Sequence, residues 1–167
     1  MSRLHWQRPL TLCTLLATVT ACGIQPTPVL NAGEPPTGVA TGPFLYFISA
    51  DGPRLTMVRR TTGRLGDIRG AVELLLAGPD AAERAQGLAS QVPRSTSSVE
   101  VEPVDNGTRV TVPIEQPLTR LARGQIVCTA ATVLAATHRG DLATLIEVRT
   151  RAGTTYPRAH CSQLRFG

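Results

Sequence analysis

One apolar stretch decides how much of this 167-residue chain is left to fold. Leu10 to Val19 runs Leu-Thr-Leu-Cys-Thr-Leu-Leu-Ala-Thr-Val, with Arg3 and Arg8 ahead of it and Thr20 and Ala21 behind. About ten apolar residues engage a translocon, whereas a spanning helix needs about 20 to cross about 30 Å of hydrocarbon. Residues 1–21 therefore read as an export signal that is cut away rather than folded. From Gly23 to Gly42 the chain carries Pro26, Pro28, Pro35 and Pro36, several glycines and few large apolar side chains. Such a segment buries too little surface to offset its chain entropy. Residues 22–43 thus read as a flexible tether, a coil spanning about 25 Å. The body left to fold is 44–167.

The position of Cys22 adds a covalent expectation. Val19-Thr20-Ala21-Cys22 resembles a bacterial lipobox. The resemblance implies that the Cys22 thiol takes a diacylglycerol and that cleavage leaves Cys22 as the new N-terminus. With a further acyl chain such as palmitate, the lipid would hold the protein at the extracytoplasmic face of the cell membrane. The alternative is an ordinary signal peptide cut nearby, with Cys22 incidental. Cys13 leaves with the signal in either case, so Cys128 and Cys161 are the two thiols of an exported body. Outside the cytosol such a pair most often becomes a disulfide. Two free buried thiols are the alternative. A zinc site is not expected, because Cys128, His138, His160 and Cys161 lack compact ligand spacing.

Charge excludes some function classes. The formal net charge is +5, and the positive residues are all arginines, since the chain contains no lysine. Arg3 and Arg8 would leave with the signal; of the rest only Arg59 and Arg60 are adjacent. Nucleic-acid binding needs a concentrated basic face, so no nucleic-acid partner is expected. The lack of lysine removes a phosphate-gripping loop of Walker type, a Schiff base and a Ser–Lys pair. No Gly-x-Ser-x-Gly elbow occurs. His138 sits at an expected helix end, where it suits the last carbonyls. His160 adjoins Cys161, a placement open to an activating base or a metal ligand. Glu100 and Glu102 share one face of an expected strand, as a solvated edge does, rather than flanking a substrate. The reading is therefore of no catalytic residues, no metal and no cofactor.

Hydrophobic residues make up 42% of the chain but aromatics only 4%, so aliphatic side chains must fill the core. Phe44 to Ile48 is a short continuous apolar run, as in a strand covered on both faces. Asp51-Gly52 marks a turn, and Arg54 to Arg60 alternates as a second strand. After Gly66-Asp67, the residues Ile68, Val72, Leu75 and Leu76 recur at helical spacing until Gly78-Pro79. Asp80 and Glu83 form the pattern of a capping box that opens a short second helix. Val99 and Val101, then Val110, Val112 and Ile114, alternate about Asp105-Asn106-Gly107 as a hairpin. Leu118 to Thr137 is the longest expected helix, with Ala122, Ile126, Ala130, Val133 and Leu134 on its core stripe and Cys128 well round from it. The Arg139-Gly140-Asp141 triplet reads as a turn into a strand over 142–150, with Thr154 to Tyr156 a candidate strand pairing back on it. The order β-β-α-(α)-β-β-α-β predicts an α+β fold, one mixed or antiparallel sheet with helices packed on it.

Within this frame, Leu74-Leu75-Leu76-Ala77-Gly78-Pro79, Glu83, Gly87-Leu88 and Pro93 form a pattern that resembles the GerMN domain of sporulation and germination proteins. Gln125-Ile126-Val127 in a helix of small residues adds to it. That domain is common in lipoproteins of high-GC Gram-positive bacteria, and the resemblance covers residues 44 to 156. Three positions depart from the family: Arg94-Ser95-Thr96 replaces a frequent Gly-Thr, Val110 to Pro113 lacks a frequent Asp, and Cys128 replaces a frequent aromatic. The last departure suggests a disulfide to Cys161 in place of an aromatic contact. The resemblance implies a non-catalytic module that assembles with a protein partner in the cell envelope. The contrasting expectation is an envelope enzyme or cell-wall glycan binder, with a concave site lined by Arg59, Arg60 or Arg149.

Overall fold

A computed structural model of the chain describes residues 42–64, 66–137 and 145–165. Cys22, the signal, the tether up to residue 41, His138 and the Arg139-Gly140-Asp141 triplet lie outside the described residues. The elements are β1 (Phe44–Ile48), β2 (Leu55–Arg59), α1 (Ile68–Ala77), α2 (Ala81–Ala85), β3 (Glu100–Val104), β4 (Gly107–Val112), α3 (Arg120–Ala136), β5 (Leu145–Thr150) and β6 (Thr155–Ala159). A 3₁₀ turn at Cys161–Gln163 follows. Gly42 and Pro43 are buried, and the Pro43 carbonyl accepts from the Arg60 N–H, so the body includes at least these two residues ahead of the start expected at 44.

The class is α+β, but the expected single sheet is two sheets. β1 and β2 form an antiparallel ribbon, and β3-β4-β5-β6 form a mixed four-stranded sheet. The candidate return strand at Thr154 to Tyr156 is β6, and the 3₁₀ turn is added to the expected order. β4 and β5 are parallel, because α3 carries the chain from the end of one to the start of the other. Asp105 and Asn106 close the β3–β4 hairpin, with Asn106 at φ 58°, the conformation its side chain tolerates.

Side chains from α3 explain why the ribbon stays separate. Ser49 N–H donates to Arg54 and Arg60 N–H to Pro43, which fixes the bonded pairs inside the ribbon. Tyr46 and Ile48 must then point their main-chain groups away from β2. The Tyr46 N–H donates to Thr129 Oγ1 at 3.1 Å, and the Tyr46 carbonyl accepts from Gln125 Nε2 at 3.0 Å. Ile48 exchanges two main-chain bonds with Ala89. The outer edge of β1 is thus taken at Tyr46 and Ile48.

One aliphatic core joins the ribbon, α1, α3 and the inner face of the larger sheet. It includes Leu45, Phe47, Val72, Leu75, Leu76, Val110, Val112, Ile126, Ile146 and Val148. The expected stripe of α3 faces this core at Ala122, Ile126, Ala130 and Val133. Cys128, expected off the core-facing side, is fully buried in a second cluster with Tyr46, Leu55 and Leu121. The α3 helix is covered nearly all round because the C-terminal tail crosses it. Leu164 is buried, the Arg165 carbonyl accepts from Leu55 N–H at 3.0 Å, and Arg120 donates to the Gln163 carbonyl. Gly124 permits this closure. A Cβ there would lie 2.7 Å from the Leu164 carbonyl oxygen and 3.0 Å from Leu55 Cδ1.

Candidate functional site

Residues of the segment from Leu74 to Pro93 have structural work. Gly78 ends α1 at φ 83°, which a side chain would strain. Asp80 then caps α2 reciprocally with Glu83: the Glu83 N–H donates to Asp80 at 2.8 Å, and the Asp80 N–H to Glu83 at 2.7 Å. Arg60 clamps this turn, pairing with Glu83 at 2.9 Å and Asp80 at 3.1 Å and donating to the Gly78 carbonyl at 2.9 Å. Its guanidinium also lies over the Phe47 ring. Gln125 spans β1 and the 90–91 loop, since its Oε1 accepts from Gln91 N–H at 2.9 Å. Nothing in the apolar periodicity of α3 marks Gln125 as buried. Its polarity amid aliphatics was the available signal.

Of the predicted site residues, Cys128 and Cys161 come together, with their sulfurs 2.05 Å apart, at disulfide bonding distance. This places the tail across α3. His160 lies beside the pair with its Nδ1 buried and without a hydrogen-bond partner among the described residues. Among those residues no group of three or more His, Cys, Asp or Glu side chains is placed to hold a metal ion.

The outer face of the larger sheet carries a row of alternating charge. Register aligns Glu102, Arg109 and Glu147 across β3, β4 and β5. Arg109 bonds both Glu102 and Glu147, and Arg158 reaches Glu147 at 3.3 Å. The Arg109 guanidinium, followed by Arg158, holds the Glu147 carboxyl below the usual carboxylate range against the opposing effect of burial. Glu147 in turn raises the Arg109 pKa. Glu100 points outward, as expected, and shares a polar hollow of about 240 Å³ with Thr111, Arg149 and Arg151.

Further concavities open on the body. One, of about 440 Å³, lies between Leu74 and Ala77 of α1 and the loops that hold Thr62, Arg64, Ser95 and Thr96. Another, of about 310 Å³, is floored by Tyr46 and walled by Ala131, Thr132, Cys161, Ser162 and Arg165. Met57 lies next to it, with the Tyr46 hydroxyl donating to its sulfur at 3.5 Å. Met57 is 49% exposed, the one large apolar side chain so open among the described residues. Arg59 lies over the Phe44 ring on the same face of the ribbon.

Comparison of the chain with protein families, with characterised proteins and with solved structures returns no match. Among the described residues no helix is long and apolar enough to cross a membrane.

Proposed function

We propose that this protein is a lipid-anchored module of the GerMN type, held at the extracytoplasmic face of the cell membrane through Cys22, that binds a protein partner in the envelope without catalysing a reaction. The observation that carries the anchoring is the ten-residue apolar run closed by Val19-Thr20-Ala21-Cys22, too short to span a bilayer and followed by a proline-rich tether. In support of a binding role, Met57 is exposed beside a hollow, next to Arg59 and Arg165, which are exposed and form no ion pair among the described residues. Intact-mass analysis of protein recovered from cells should find residue 22 at the N-terminus, carrying acyl chains. A Cys22→Ala form that still partitions wholly with membranes would refute the lipid anchor. Cross-linking and capture of the lipidated protein from native membranes should recover one envelope protein in stoichiometric amount.

A second reading is favoured by Arg149, which lines the polar hollow beside Glu100, Thr111 and Arg151. Such a mixed-charge site suits a hydroxyl- and carboxylate-bearing wall fragment. Calorimetric titration with soluble wall fragments tests it: binding that Arg149→Ala abolishes supports a glycan-binding role. Arg59 and Arg60 do not line this hollow; Arg60 is committed to α2, and Arg59 lies over the Phe44 ring with no ion pair among the described residues.

A further inference from the structure

The two sheets have four edges, and three of them are blunted by a proline or partly covered. In the larger sheet β3 carries Pro103 and β6 carries Pro157. A proline in an edge strand removes a donor and blunts that edge against another chain. The β1 edge is met by Gln125, Thr129 and Ala89. β2, Leu-Thr-Met-Val-Arg, has neither proline nor bulge. By the register of the ribbon, Leu55, Met57 and Arg59 turn their main-chain groups outward. The Arg165 carbonyl takes the Leu55 N–H. Among the described residues nothing meets the N–H or C=O of Met57 or Arg59.

We infer that the open edge of β2 at Met57 and Arg59, together with the hollow beside Tyr46, is the docking site for an extended acidic segment of a partner protein. The inference rests on the protein-interaction reading above and gives it a place and a chemistry. The segment adds as a strand, exchanging main-chain bonds with Met57 and Arg59. Alternate side chains of that strand then lie on the Met57 face, where an apolar one covers Met57 and Tyr46. Arg59 and Arg165 supply the charge: neither forms an ion pair among the described residues, and both are exposed. A second copy of this chain fits less well. Antiparallel pairing of β2 with itself about Met57 sets Arg59 opposite the other copy's Leu55, whose N–H is already taken by Arg165, and offers neither arginine a counter-charge.

A random peptide display library, selected on the full lipidated chain in detergent, tests this site. The expected winners alternate β-branched or aromatic residues with Asp or Glu. Met57→Pro removes the outward N–H without touching a bond inside the ribbon, and Arg59→Glu inverts the charge. Each should weaken the selected peptides by about tenfold or more, with an unchanged far-UV spectrum, while Arg149→Glu leaves them bound. If Met57→Pro fails to fold, selected peptides N-methylated at alternate residues provide the same test, with binding lost in one of the two registers only. Peptides that tolerate both β2 variants and methylation in either register overturn this site yet leave a protein-interaction role standing. Selection of basic peptides overturns the acidic specificity. A selection that yields no binder at all counts against the site and the interaction role together.

Discussion

Gln125 is a polar side chain within a helix otherwise buried by small and aliphatic residues, and its burial follows from geometry. Its amide is the right length to present a donor to the Tyr46 carbonyl and an acceptor to Gln91 N–H. Substitution by Leu preserves volume but leaves the buried Tyr46 carbonyl unpaired and takes the acceptor from Gln91 N–H. A buried unpaired group costs about 1–3 kcal/mol, so Gln125→Leu should destabilise the fold by about 2–3 kcal/mol in urea titration, despite the added apolarity. A neutral or stabilising result would mean that the ribbon moves freely away from α3. Glu147 supports a second residue-scale prediction. Its folded pKa is lowered, chiefly by Arg109, so the carboxylate contributes stability that is present above the unfolded value and lost as pH falls through the folded one. Wild type should therefore exceed Glu147→Gln in stability at neutral pH. The gap should begin to close below about pH 4.5 and vanish once both states are protonated. Melts of the two proteins across that window check the sign.

At the scale of elements, the parts written in local chemistry were legible and the assembly was not. Asp67, Asp80 and Glu83 announced helix starts, Gly78-Pro79 a stop, and Asp105-Asn106-Gly107 a hairpin, because each satisfies main-chain groups within a few residues of itself. The division into two sheets depends on contacts between residues about 80 apart in the chain, Tyr46 with Gln125 and Thr129, which no periodicity records. The same limit hid the burial of Cys128: a helical wheel shows one core-facing stripe and cannot show a tail lying across the opposite side. For the candidate site, the cysteine pair was legible from count and the expected export signal, while Met57 and the open edge of β2 were visible only once the pairing register was known. Gly124 carries the element-scale prediction. Alanine in a helix interior gains about 1 kcal/mol over glycine, but here its Cβ would meet the main chain of Leu164 at 2.7 Å. The clash should win, with Gly124→Ala destabilising by about 1–2 kcal/mol. Hydrogen exchange should report the loss first at Leu55 and Leu164, where the tail is held.

For the molecule as a whole, the tail decides whether α3 is a core helix or a surface one. The tail is tied at four kinds of contact: the Cys128–Cys161 pair, buried Leu164, the Leu55–Arg165 main-chain bond and Arg120 on Gln163. The covalent tie spans 33 residues and encloses β5 and β6. Closing a loop of that length removes unfolded-state entropy amounting to about 3–4 kcal/mol. The other ties do not depend on it, so the fold and the disulfide should separate experimentally. Reduction, or a Cys128→Ala/Cys161→Ala double variant, should lower unfolding stability by about 3–4 kcal/mol while leaving secondary structure intact at neutral pH. Cys161 is half-buried and Cys128 fully buried, so after reduction Cys161 should take an alkylating reagent well before Cys128 does. The tail's freedom should also change the meaning of Gly124. With the sulfurs gone, the Leu164 main chain can yield to an alanine Cβ, and the cost of Gly124→Ala should shrink or reverse in that background. A double-mutant cycle between Gly124 and the cysteine pair measures this coupling directly. Strict additivity would show that the remaining contacts alone fix the tail against α3, and that the disulfide acts only on the unfolded chain.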